Sequence, residues 1–235
     1  MRKVTEQEIK LLFDFTKKHY VEFYDVQVEL VDHLANAIEA QWEENPKLSF
    51  EEALQIEFKK FGIFGFTGLV EQKQAELQKY YNKMLWNELL KFVSIPKVVI
   101  TIALYIGIYF VLKNTGNLGE MIALGALLVS FTFFIVDGFR YLYKIKKEQK
   151  KHGKSWLIQS VANTIFSLPT IGISGSYFSI VNRFFEQNAG ISNAGLHFLT
   201  AFLVFETVCF FVFYNVIRPN LNQSIKETAN RFQFI

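Results

Sequence analysis

The stretch KVVITIALYIGIYFVLKNTGNLGEMIALGALLVSFTFFIVDGFRYLYKIKKEQKKHGKS, residues 97–155, decides the fold. It holds two apolar runs split by a short polar turn and is closed by a dense basic segment. A helix needs roughly 20 mostly apolar residues to cross about 30 Å of hydrocarbon, and the runs at 97–113 and 118–136 meet that length. Lys97 and Lys113 bracket the first, with stems long enough to snorkel to the interface. Downstream, 156–182 and 195–217 read as two further spans. The third is longer than a crossing requires and is interrupted by Pro169, Gly172 and Gly175, which predicts a kink or break. The fourth is rich in Phe and is expected to end at Arg218-Pro219, a charge followed by a helix breaker.

Charge separates the chain into two halves. Residues 1–95 carry 12 Lys and Arg against 16 Asp and Glu, whereas 96–235 carry 13 against 6. These features exclude a single water-soluble globule, a disordered tail, a collagenous repeat and a disulfide scaffold. The segment 137–155 reads as a loop holding Arg140, Lys144, Lys146, Lys147, Lys150, Lys151 and Lys154 against Asp137 and Glu148. Basic residues concentrate on the cytoplasmic side of membrane proteins, so this loop is expected inside, while 113–120 and 183–194, with one basic residue each, face outward. Both termini are then cytoplasmic, including the tail 218–235. The first residues lack the apolar core and cleavage site of a secretory signal. Cys209 is the one cysteine, so no disulfide or thiolate cluster forms within a chain. The composition suits the inner (plasma) membrane of a bacterium.

Ahead of the spans, residues 1–80 read as about four helices. Thr5 with Glu8 and Ser49 with Glu52 have the spacing of capping boxes, in which hydroxyl and carboxylate satisfy each other's exposed amides. Ile9, Leu12, Phe13 and Thr16 give the first helix one apolar face, and Val28, Val31, Leu34, Ile38 and Trp42 give the second one of its own. The second helix is predicted over 25–44, ending at Asn45-Pro46, and the third from Phe50 to Gly62. A long polar helix covers 67–93, and the segment 81–96, its second half with the residues up to Pro96, reads as an amphipathic stem at the membrane surface. The expected fold class is therefore all-α: an N-terminal cytoplasmic helical domain followed by a four-helix transmembrane bundle.

The segments VQVELVDHLANAIE (26–39), SFEEAL (49–54) and FKKFGIFGFTGLVEQ (58–72) resemble the HAAS-type module, a small helical signalling domain fused to membrane helices and similar to the prefix domain of some permeases. Glu29, Asp32, His33 and Glu39 match its acidic helix, and Ser49, Glu51, Glu52 and Ala53 match its capped helix start. Phe61-Gly62 stands where that family has Leu-Gly, without the proline that follows there. The resemblance implies a cytoplasmic interaction domain associated with PadR-like regulators, and no catalysis.

Several residues are candidates for chemistry. Asp25, Glu29 and Asp32 share a helix face at i, i+4, i+7, with His33 beside them; they read either as a partner-binding or cation-binding edge or as a solvated face. Glu206 lies near the middle of the fourth span, where an isolated charge costs at least ~2.5–3.5 kcal/mol, so it is expected neutral, paired or facing a polar cavity, with Ser160, Asn163, Thr164 or Thr207 as partners. Asn163 and Pro169 are the other intramembrane candidates. The basic residues from Arg140 to Lys154 suit anionic lipid headgroups, at about 1 kcal/mol per residue near the surface, or the acidic front domain. No recognition helix points to nucleic acid, and no nucleophile elbow, phosphate loop, HExxH or dinucleotide fingerprint is present. The expectation is a non-enzymatic membrane protein without a cofactor, tethering an interaction domain that binds a protein partner. A small oligomeric transporter, or transporter subunit, using Glu206 and an assembly factor of a larger membrane complex are the competing readings.

Overall fold

The computed structural model describes residues 2–162, 164–165 and 192–232. Among them the regular structure is helical, with a single isolated bridge between Phe23 and Ser155 and no strand. The helices are α1 (Glu6–Lys18), α2 (Tyr24–Glu44), α3 (Phe50–Lys59), α4 (Phe66–Leu90), α5 (Lys97–Thr115), α6 (Asn117–His152), α7 (Asn193–Val212), a π-helical turn (Phe213–Ile217) and α8 (Arg218–Arg231). Among the described residues three continuous helical stretches, Lys97–Thr115, Asn117–His152 and Asn193–Arg231, are long and apolar enough to cross a membrane. The expected third span, with Asn163 and Pro169, lies mostly outside the described residues.

The chain forms two compact units. The first contains Met1–Gln78 together with Lys147–Val161 and Ser224–Ile235. Both expected capping boxes are present: the Glu8 amide donates to Thr5 Oγ1 and the Thr5 amide to Glu8 Oε2, and Ser49 and Glu52 exchange the same pair. Ser49 holds the Glu52 carboxyl below its ordinary range. α1 and α2 form a hairpin whose core is Leu12, Val26, Leu30, Leu34 and Ile38, closed by Ala53 and Leu54 of α3 and by Phe66 and Val70 of α4. The Trp42 indole donates to the Leu48 carbonyl at 3.0 Å, holding the turn after α2. α3 stops at Lys59, one turn short of the expected Gly62, because the chain turns at Gly62 and Gly65, both in the left-handed region that favours glycine.

The second unit contains Lys79–Lys146 and Ala162–Gln223. α5 and α6 are joined at Gly116, whose φ is +52°, and Gly119 sits so close that an added Cβ would lie 2.0 Å from Thr115 Oγ1. Leu112 of α5, Ala123 and Leu127 of α6, and Leu196 and Leu199 of α7 form a small shared core.

Three further boundaries differ from the expectation. The segment 137–155 is not a loop: α6 runs unbroken to His152, because nothing between Gly138 and His152 interrupts a helix and the charged residues there are good helix formers. The fourth helical stretch does not end at Arg218-Pro219. The Arg218 amide bonds the Phe213 carbonyl, five residues back, and this wider turn lets the chain continue helically through a proline to Arg231. Finally, Trp156, Leu157 and Ile158, read as the start of the third span, are buried in the first unit, with Leu157 inside the α1–α2 core. This accounts for the excess length of that apolar run.

Candidate functional site

In the second unit α6 and α7 run parallel, and polar groups meet along their seam at nearly constant spacing. Ser130 of α6 donates to Glu206 Oε1 of α7 at 2.5 Å, with Glu206 8% exposed. One turn on, the Phe134 ring lies 5.7 Å from Phe210 and 5.5 Å from Phe213. A further turn on, Asp137 Oδ2 accepts from the Tyr214 hydroxyl at 2.9 Å and from Arg218 Nη1 at 2.7 Å. The guanidinium also lies 5.2 Å from the Tyr141 ring, whose hydroxyl donates to Asn222 at 2.8 Å. The seam thus changes from carboxyl and hydroxyl, through aromatics, to an ion pair.

Glu206 was expected to find its partner on the third span or at Thr207. Ser130 is a residue that expectation omitted, while the Thr207 hydroxyl bonds its own helix at Leu203. Ser160 belongs to the first unit, where Gln74 donates to its hydroxyl at 3.0 Å. Asp137 and Arg218 were not singled out as a site either. Their signal was available, since each stands where an apolar run ends and they are opposite in charge. At the other end of the unit, His197 Nδ1 and the Tyr105 hydroxyl are 2.6 Å apart, and the Tyr109 ring stacks on the imidazole with centroids 4.5 Å apart.

The chain matches no family model, no curated protein and no solved structure.

In the first unit the four partner candidates separate. The Asp25 carboxylate accepts the Leu157 amide on both oxygens, at 3.1 and 3.2 Å, so it caps the helical turn that begins there. The Tyr24 amide donates to the Ser155 carbonyl at 2.8 Å, and the Ser155 hydroxyl donates to the Glu22 carbonyl at 2.7 Å. Lys154 lies over the Tyr24 ring at 3.7 Å. Asp25 is therefore used within the fold. Burial pushes its carboxyl above the ordinary range, while the Leu157 amide pulls the other way. Glu29 forms an ion pair with Lys73 of α4. Asp32 and His33 remain exposed, with the His33 ring 6.2 Å from Phe61, two residues before a turn whose tip bears Ile63, fully exposed, and Phe64, 78% exposed.

Arg140, Lys144, Lys147 and Lys151 fall on one stripe of α6, all exposed, and the same stripe is apolar upstream at Val129, Phe133 and Val136. Lys146 and Lys150 are exposed beside it. Lys154 is set apart from these by its contact with Tyr24. Among the described residues no three His, Cys, Asp or Glu side chains converge to hold a metal.

Proposed function

We propose that the protein is a four-span membrane regulatory or interaction protein of the bacterial inner membrane, with a cytoplasmic front unit, similar to a HAAS-type module, that binds a protein partner. Chain parity supports the topology. Residues 1–78, 147–161 and 224–232 belong to one compact unit and so lie on one side of a membrane. Between the first two, α5 and α6 make one outward and one return pass. Between the last two, α7 makes a single pass, and the stretch read from the sequence at 156–182 supplies the other. The basic stripe of α6 begins where its apolar face ends, as expected at a cytoplasmic boundary lined by anionic headgroups.

The observation that carries the partner reading is the Ile63-Phe64 tip. Two large apolar side chains project from a turn set by Gly62 and Gly65, which follows Phe61, whose ring lies 6.2 Å from that of the exposed His33. Neither side chain contributes to the core, and exposed apolar residues concentrated on a loop tip mark an interaction surface. Removing residues 1–80 would also strip the core around Leu157, so a surface change is the cleaner test. The full chain, purified from its own membrane in mild detergent, is compared with an Ile63→Asp, Phe64→Asp double variant by mass spectrometry of co-eluting proteins. A stoichiometric partner reduced more than tenfold in the variant is the expected result; equal retention, or no partner in either sample, contradicts the reading.

The buried Glu206 favours a second reading, proton-coupled or ion-coupled transport by an oligomer. There Glu206→Gln abolishes transport, whereas in the interaction reading it leaves partner binding unchanged.

A further inference from the structure

In the second unit the last turns of α4 and the residues after it lie against α5 and α7 and wall a groove of about 470 Å³, open on one side. Its lining includes Trp86, Phe92, Ile102, Ala201, Phe205 and Val208 and is almost wholly apolar. The volume falls within the roughly 300–1,000 Å³ range of small-molecule sites. Thr101 supplies the one side-chain hydroxyl besides Tyr105, and it is already used, donating to the Phe92 carbonyl at 3.0 Å. Tyr105 is likewise engaged with His197. The groove thus offers an extended apolar ligand little to hydrogen-bond with and nothing to repel it.

Its two ends differ. Phe92 lies 5.7 Å from Phe211 and accepts at its carbonyl from Thr101, in the second turn of α5, so the Phe92 and Val208 end is near the start of α5; Tyr105 and Ala201 mark the far end. From Ala201 to Val208 the α7 wall rises about 10 Å at 1.5 Å per residue. At the Phe92 end Lys97 places its ammonium 4.5 Å over the Phe92 ring, at the first residue of α5. Lys91 is close in sequence but is paired with Glu88. Lys97 therefore stands beside the Phe92 end of an apolar trough that runs along two helices of membrane-spanning length.

We propose that this groove holds one acyl chain of an anionic phospholipid, with the headgroup phosphate on Lys97. The site rests on the reading of α5 and α7 as membrane helices. Apolar walls select the chain and the lysine selects the charge, and Trp86 in the last turns of α4 and Phe92 just after it touch the ligand, so that lipid occupancy fixes the position of this segment.

The test uses the full chain, extracted and delipidated in detergent, then offered palmitoyl-oleoyl phosphatidylglycerol, the matching phosphatidylcholine or free palmitate, with bound molecules counted by native mass spectrometry. The expected result is one phosphatidylglycerol per chain. Lys97→Gln should weaken its retention about fivefold, which corresponds to the ~1 kcal/mol of one basic residue near anionic lipid. Ala201→Trp, at an exposed position on the groove wall, should weaken it more than tenfold. Ile102→Trp serves the same purpose if Ala201→Trp does not elute as a folded species. Retention unchanged by both groove-filling variants, equal retention of phosphatidylcholine, or retention of palmitate alone would overturn the proposal. Release of the protein from membranes by alkaline carbonate would instead overturn the membrane reading itself.

Discussion

At Asp25 two opposing effects act on one carboxylate. Burial beneath the segment that follows α6 penalises the charge, while the Leu157 amide and the first amides of α2 stabilise it, and burial prevails, so the folded-state pKa lies above the ordinary 3.8. The sign then follows from linkage. The stabilising contribution of Asp25 is fully present below the unfolded value, and it is lost as pH rises through the folded value. At neutral pH the group accordingly holds its cap at a cost in desolvation. Asp25→Asn keeps an acceptor for the Leu157 amide without the charge, and is expected to melt at or slightly above the wild type near pH 7, with the gap closing as pH falls toward 4. Asp25→Ala removes the cap and is expected to lower stability by about 0.5–2 kcal/mol. Thermal melts of both variants across pH 4–8 check the pair. This role was not legible in the sequence. The i, i+4, i+7 spacing of Asp25, Glu29 and Asp32 describes one helix face, but the partners that divide them, Leu157 and Lys73, come from 132 and 44 residues away.

Among the elements, legibility followed the range of the interactions involved. The starts of α1 and α3 were readable because Thr5–Glu8 and Ser49–Glu52 act over three residues. The apolar runs of α5 and of the first part of α6 were readable by length alone. Two helix ends differ from the sequence expectation for one reason: neither charge nor proline stops a helix here. At 137–152 the charges sit on the outer face of a helix that continues, and at Pro219 a π-helical turn makes room for the ring. The apolar triplet at 156–158 was ambiguous in principle, since Trp, Leu and Ile suit a lipid face and a protein core equally. Leu157 decides it, at 8% exposure within the core of α1 and α2. Leu157→Ala should therefore cost about 2–5 kcal/mol, the range for emptying a buried leucine site, and should lower the melting temperature of the first unit. A lipid-facing leucine would show almost no change on the same scan.

Across the whole molecule, the features that act together are a front unit completed by two distant segments, helices of membrane-spanning length and a basic stripe on α6. Because 147–161 and 224–232 complete the front unit, the exposed Ile63-Phe64 tip, proposed to bind a partner, belongs to a unit built from three chain segments and not to a domain on a single linker. The Ser130–Glu206 and Asp137–Arg218 contacts, spaced two turns apart along α6, join it to α7 and to the start of α8 and set their register. The central claim is that the front unit, the end of α6 and the C-terminal helix share the cytoplasmic side, with the α5–α6 turn opposite. Single cysteines at Lys3, Asn117, Lys151 and Lys226, in a Cys209→Ser background, test it by reaction with a membrane-impermeant maleimide on intact cells and on opened membranes. The account predicts that the cysteine at 117 labels on intact cells and the other three only after opening; labelling of 3 and 117 from the same side, or of 3 and 151 from opposite sides, would contradict it.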